Sequence, residues 1–93
     1  MRTTRWTSRF KKDVRREKSG RFGKTLQHDL SELAALLEID ALLPERYRDH
    51  ALTGNLRDHR DCHVHPDLIL IYRKPDPETL ELVRLGSHSE LEL

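Results

Sequence analysis

Six histidines stand in ninety-three residues, and five of them, His50, His59, His63, His65 and His88, lie in the second half. An imidazole can act as acid, base, metal ligand or stacking platform near neutral pH. Cleaving an RNA phosphodiester without a metal needs a group that takes the proton from the 2′-hydroxyl and another that protonates the leaving 5′-oxygen. It also needs a cation beside the non-bridging oxygens. The stretches Arg60-Asp61-Cys62-His63-Val64-His65-Pro66-Asp67 and Arg84-Leu85-Gly86-Ser87-His88 hold those residue types at the ends of what read as neighbouring strands. Each residue also has a plainer reading. His50 and His59 fit ordinary polar surface positions, Arg60 and Arg84 can pair with Asp58 or Asp61, and Asp67 can be a turn residue behind Pro66. Cys62 with His59, His63 and His65 invites a zinc reading, but strand alternation points Cys62 away from His63, and no CxxC or HxxxH spacing exists. No metal or cofactor is expected.

The elements that would position these residues follow from hydrophobic period. Thr3 to Thr7 is rich in β-branched and aromatic residues and reads as a short first strand, with Ser8 as the cap of a helix over Arg9 to about Ser19. Phe10 and Val14, four apart, give that helix one narrow buried stripe. Gly20 and Gly23 end it. Leu26, Leu30, Leu33 and Leu37 keep one face of a second helix, about Lys24 to Leu37, and Pro44 stops any continuation. Then the period falls to two. Leu56, Asp58, Arg60, Cys62 and Val64 share one face of a strand, with Arg57, His59, Asp61 and His63 on the other. Leu68 to Arg73 reads as a strand covered on both sides, Lys74 to Glu78 as hairpin residues, and Thr79 to Leu85 as the last strand. The order β-α-α-β-β-β predicts a single α+β domain over residues 1–93, an antiparallel sheet with two N-terminal helices packed on one face.

Composition narrows the function classes. Apolar and charged residues each make up 35% of the chain, enough for one modest core under a heavily solvated surface. The longest apolar run, Leu68 to Tyr72, is far short of the roughly 20 residues that span a bilayer, and no signal-peptide apolar segment opens the chain, so a soluble, cytoplasmic protein with no membrane contact is expected. One cysteine cannot build a disulfide framework. Net charge is only +1, but it is polarised. Residues 1–24 carry ten Lys/Arg against Asp13 and Glu17, giving +8, while residues 25–93 carry seven against fourteen acids, giving −7. Such a field steers the N-terminal end toward phosphate backbones without reading sequence. The plainer reading is the solvated face of a helix.

Read together and in order, His50-Ala51-Leu52-Thr53-Gly54, the Arg60–Asp67 stretch, Leu68-Ile69-Leu70-Ile71-Tyr72 and Arg84–His88 resemble the YafQ branch of the RelE superfamily of toxins. The ordered set H-x-L-x-G, R-D-x-H-V-x-P-D, I-L-I-Y and R-x-G-[ST]-H runs from about Leu43 to Leu91, and the upstream β-α-α layout agrees with the RelE-like fold. The resemblance implies an endoribonuclease toxin of a type II toxin–antitoxin system, an mRNA interferase that cleaves in the ribosomal A site. It also implies restraint by a DinJ-like antitoxin, with operator DNA reached only through that antitoxin. By family position the active site would comprise His50, His63, Asp67, Arg84 and His88. His88 is assigned the general acid and Arg84 the stabilisation of the phosphorane-like transition state, with His50, His63 and Asp67 on the other side and the base among them open. Arg9, Lys11, Lys12, Arg15, Arg16, Lys18, Arg21 and Lys24 would grip ribosomal RNA or dock an acidic antitoxin segment. Two departures stand out: the family often carries an aromatic directly after the P-D pair and another near the C-terminus, where this chain has Leu68 and Glu92. Their loss would alter grip on a base, and the competing expectation is a catalytically weakened homologue that binds ribosome, RNA or antitoxin without cutting.

Overall fold

A computed structural model describes residues 1–93. The elements are β1 (Thr3–Trp6), α1 (Ser8–Lys18), α2 (Leu26–Glu38), β2 (His50–Ala51), β3 (Arg60–His65), β4 (Leu68–Asp76), β5 (Thr79–Gly86) and α3 (His88–Leu91), with single 3-10 turns at Glu45–Tyr47 and Gly54–Leu56. Thr7 rather than Ser8 caps α1, its hydroxyl accepting from the Phe10 amide at 3.0 Å. α2 begins two residues later than its leucine pattern suggests. Its four periodic leucines are all buried, and full burial of each contributes roughly 1.5–3 kcal/mol.

The sheet order is β1-β5-β4-β3-β2. β3, β4 and β5 form the expected antiparallel meander, but β1 joins β5 in parallel, Thr3 opposite Thr79 and Trp6 opposite Leu82, so the sheet is mixed rather than wholly antiparallel. Parallel or antiparallel pairing of an edge strand is a property of the chain's path and leaves no mark in a strand's own residues. Two further elements escape the periodicity. β2 is only two residues long, pairing His50 with Asp61 and Ala51 with Arg60. α3 is announced by a capping box, Ser87 and Glu90 each bonding the other's backbone amide.

Leu56 to His59, expected at the start of the strand that is β3, instead form the 3-10 turn and its exit. Gly54 enters that turn at φ 67°, where a side chain would be strained. β4 runs on through Pro75 to Asp76, a register shift after Arg73 accommodating the proline and leaving Pro77-Glu78 as the turn. One face of the meander, with Cys62, Leu68, Leu70, Tyr72, Leu80, Leu82 and Leu85, packs on Phe10, Val14 and the four leucines of α2. Ile69 and Ile71 are buried on the opposite face, so β4 is covered on both sides as its unbroken apolar run predicts. No helix is long and apolar enough to cross a membrane.

Candidate active site

The face of the sheet turned away from the helices carries several of the candidate residues. On β3, Asp61 and His63 lie on that face, while Cys62 between them points into the core opposite Leu70, its thiol pKa pushed far up by burial. The alternation that separates Cys62 from His63 therefore holds. A bulge between His63 and His65 then breaks it. His65 turns to α2 instead, stacking on Phe22 with ring centroids 4.4 Å apart and meeting Asp29 at 2.8 Å.

The β3–β4 turn and the β5–α3 junction bring His63, Asp67 and His88 together. The His63 and His88 rings stand 5.4 Å apart at 65°. Asp67 Oδ1 accepts from the backbone amide of His88 at 3.1 Å and meets His88 Nδ1 at 2.7 Å. These bonds hold the Asp67 carboxyl below its usual pKa, the backbone amide first and the ring second. Asp67 thus pairs with His88, on the His88 side of the cluster rather than on the far side with His50 and His63, where the sequence reading placed it. At Gly86, just before α3, a Cβ would lie 2.9 Å from the Arg16 guanidinium and 3.2 Å from Glu90, so a side chain there would shift Arg16.

His50 arrives through β2. Arg48, at the end of the 3-10 turn, takes a left-handed backbone (φ 47°, ψ 44°), and its carbonyl receives His50 Nδ1 at 2.9 Å. His63 Nδ1 meets the Pro66 carbonyl at 3.2 Å. A carbonyl or carboxylate oxygen can only accept, so in each of the three rings the partner fixes a proton on Nδ1 and leaves Nε2 for a substrate. Asp61 ties the set together, and it is a residue that composition and motif did not single out. It is 4% exposed, and its Oδ1 lies 3.2 Å from His50 Nδ1 but accepts no hydrogen bond, because that N–H is directed at Arg48. Burial raises its pKa, with the positive ends of His50, His63 and His88 opposing. The advance signals were its place in strand alternation, on the same face as His63, and its position in the R-D-x-H stretch.

Arg84 shares this face, standing opposite Ile71, which on its other side is opposite Asp61. Its guanidinium is drawn to Asp13 of α1, Nε donating to Oδ2 at 2.7 Å and Nη2 to Oδ1 at 3.4 Å, and these two bonds leave Nη1 open. The plainer pairing with Asp58 or Asp61 is thereby corrected: Arg84 pairs with Asp13, and Arg60 with Asp49. Asp13 also accepts from the Leu85 amide at 3.0 Å and from Arg16 at 2.9 Å. Arg16, expected among the RNA-gripping residues, is engaged instead by Asp13, Glu17 and Glu90 and by the Leu85 carbonyl, locking α1 to β5 and α3. Arg9, Lys11, Lys12, Arg15, Lys18, Arg21 and Lys24 are exposed and form no ion pair. Leu68, at one missing aromatic position, is wholly buried in the core, while Glu92 is exposed at φ 59° behind α3.

This fold is shared with known proteins. The family model described as the bacterial toxin of a type II toxin–antitoxin system, YafQ, matches residues 2–93. The mRNA interferase toxin YafQ of Escherichia coli K12 is 38% identical over 85 residues, 81% of this chain and 91% of that protein. A YafQ relative of Haemophilus influenzae is 44% identical over 54 residues, 55% of this chain and 53% of that protein. The toxin in the crystal structure of the E. coli DinJ–YafQ toxin–antitoxin complex superposes with a TM-score of 0.79 at 34% identity, covering 97% of this chain and 96% of that one. With the family model spanning nearly every residue and the three-histidine face built on the same fold, the chain belongs to the YafQ family of toxins from type II toxin–antitoxin systems.

Proposed function

We propose that this toxin is an endoribonuclease that cuts mRNA in the ribosomal A site by metal-independent acid–base chemistry, and that a DinJ-like antitoxin restrains it. The observation that carries the reading is the pair of imidazoles, His63 and His88, 5.4 Å apart with both Nδ1 atoms engaged and both Nε2 atoms available. A phosphodiester between them meets a base on one side and an acid on the other. His63 or His50 takes the proton from the 2′-hydroxyl, the 2′-oxygen bonds to phosphorus, and the P–O5′ bond breaks as His88 delivers its proton to the leaving oxygen. The products are a 2′,3′-cyclic phosphate, or its hydrolysis product, and a free 5′-hydroxyl. Asp67 fixes the His88 ring through Nδ1, a carboxylate–imidazole arrangement that sets both tautomer and orientation. Arg84, held by Asp13 with Nη1 open, supplies positive charge to the developing dianion.

The exposed basic residues of α1 and the following turn give the same molecule a sequence-independent grip on ribosomal RNA. Relatives named as mRNA interferases and a toxin solved with DinJ support the activity and the partner. The test is His88→Ala on translating ribosomes with mapping of the product ends. Cleavage should fall by at least roughly 100-fold, the scale of removing a general acid, with an unchanged melting temperature because the ring is exposed. Undiminished cutting would remove His88 from the mechanism. Ribosome binding by the unaltered protein with no cut at all would favour the non-catalytic homologue.

A further inference from the structure

We propose that the cleft beside the histidine pair is a second nucleotide subsite, in which Arg46 and Arg48 hold a phosphodiester flanking the scissile one. The inference rests on the nuclease reading above and adds residues that it does not use. The cleft has a volume of about 820 Å³, and its lining joins His63 and His88 with His65, Arg46, Arg48 and His28. A space of that size accommodates a small ligand, and an RNA chain leaving the two catalytic rings would enter it.

Its charge is what an RNA backbone requires. Beyond residue 24 the chain has seven Lys/Arg, and four of them, Arg60, Arg73, Lys74 and Arg84, are neutralised by carboxylates. Three remain without an acidic partner: Arg46, Arg48 and Arg57, and of these only Arg46 and Arg48 line the cleft. Of the two carboxylates there, Asp29 is engaged by His65 at 2.8 Å, and Glu32 is exposed on α2 with its nearest cationic partner His28 at 3.4 Å. Arg46 is also aligned in advance. Its guanidinium lies over the Tyr47 ring, 4.8 Å from the centroid, and Nη2 donates to the Tyr47 hydroxyl at 3.0 Å, leaving its other donors for a planar, forked contact with phosphate oxygens. Arg48 links subsite to catalysis, because its carbonyl anchors His50 while its side chain lines the cleft. Its left-handed backbone is tolerated in a residue other than glycine, the kind of strain that persists at functional positions. A protein occupant would want buried apolar anchors at its centre, and the named walls offer charge and imidazole instead.

The experiment measures binding of a short 2′-O-methyl RNA, which cannot be cleaved, across a range of salt concentrations. Arg46→Gln/Arg48→Gln should weaken binding roughly tenfold at low salt, and the slope of log affinity against log salt should shrink by about 1.4, two phosphate contacts on a single strand. Arg57→Gln, an unpaired arginine outside the cleft, should change affinity less than about twofold. Arg48→Gln alone, which leaves the Arg46–Tyr47 contact in place, should show about half the change in slope. Unchanged slopes, an equal loss in Arg57→Gln or no saturable binding by the unaltered chain would overturn the subsite. So would a double variant that loses antitoxin affinity but keeps RNA affinity. His88→Ala separates the two readings: loss of cleavage with retained RNA affinity supports catalysis at His88 independently of the cleft, whereas retained cleavage beside a weakened double variant leaves the subsite standing without that mechanism.

Discussion

Two aspartates are almost equally buried in this small protein, and their surroundings could hardly differ more. Asp13, 3% exposed, receives two arginines and a backbone amide. Burial pushes its pKa up, yet the Arg84 hydrogen bond, the Leu85 amide and the two positive charges outweigh that and hold it below the ordinary value. Asp61, 4% exposed, has one oxygen with no hydrogen bond and three histidines nearby as its only favourable charges, and its pKa rises. A buried carboxylate with full partners fastens elements together; one left short of partners is an electrostatic charge held ready for its neighbours. The first ties α1 to β5, and the second underlies the histidine face.

The contrast can be broken most severely at Asp13. Asp13→Asn leaves Arg84 and Arg16 without a countercharge and should cost about 3 kcal/mol of stability, the low end for removing one partner of a buried pair because solvent reaches the arginines. Urea unfolding checks it, and a loss below about 0.5 kcal/mol would mean that the cluster is not a fastening. The pH dependence has a definite sign. Because the folded-state pKa of Asp13 is depressed, its contribution is complete above the unfolded value of about 3.9 and disappears as pH falls through the folded value. The acid limb of the stability curve should therefore be flatter in Asp13→Asn than in the unaltered chain.

Asp61→Asn should invert that pattern. Its folded pKa is raised, so the ionised side chain costs stability once pH exceeds that value, and the cost is relieved as pH falls. The asparagine variant should therefore be as stable as the unaltered chain or more so at neutral pH, with the gain vanishing in acid, while cleavage drops roughly 10- to 100-fold as His50 loses its countercharge. A variant both less stable and fully active would assign Asp61 to the scaffold. The smallest effect belongs to the surface. Arg15→Glu should alter stability by no more than about 0.5 kcal/mol while weakening ribosome association in a salt-dependent way; Arg16→Glu, on the same helix but bound by three carboxylates, should unfold the protein more easily. Similar behaviour of the two variants would erase the distinction between free and engaged cations.

Much of this was legible before any coordinates. The leucine spacing of α2 and the buried run of β4 each follow from local period, and the separation of Cys62 from His63 follows from strand alternation. The capping box at Ser87 went unread, since only four helical residues follow it and no apolar period marks them. What local pattern missed depended on distant chain. A two-residue strand such as β2 has no periodicity to detect, and the bulge that turns His65 toward α2 appears only when β3 and β4 are set in register. Nor does any spacing rule connect Asp13 with Arg84, which are far apart along the chain yet joined at 2.7 Å.

By itself, the sequence determined which residues could transfer protons, which faces of the helices and strands must be buried, and that positive charge gathers at the N-terminal end. Only the tertiary structure decided how the charged groups are shared out: that Asp67 serves His88, that Asp13 claims Arg84 and Arg16, and that Arg46 and Arg48 remain without acidic partners. The physical reason is range. Periodicity is fixed by bonds between neighbours along the chain, whereas the pairing of ions depends on which ends the fold brings within a few ångströms of one another.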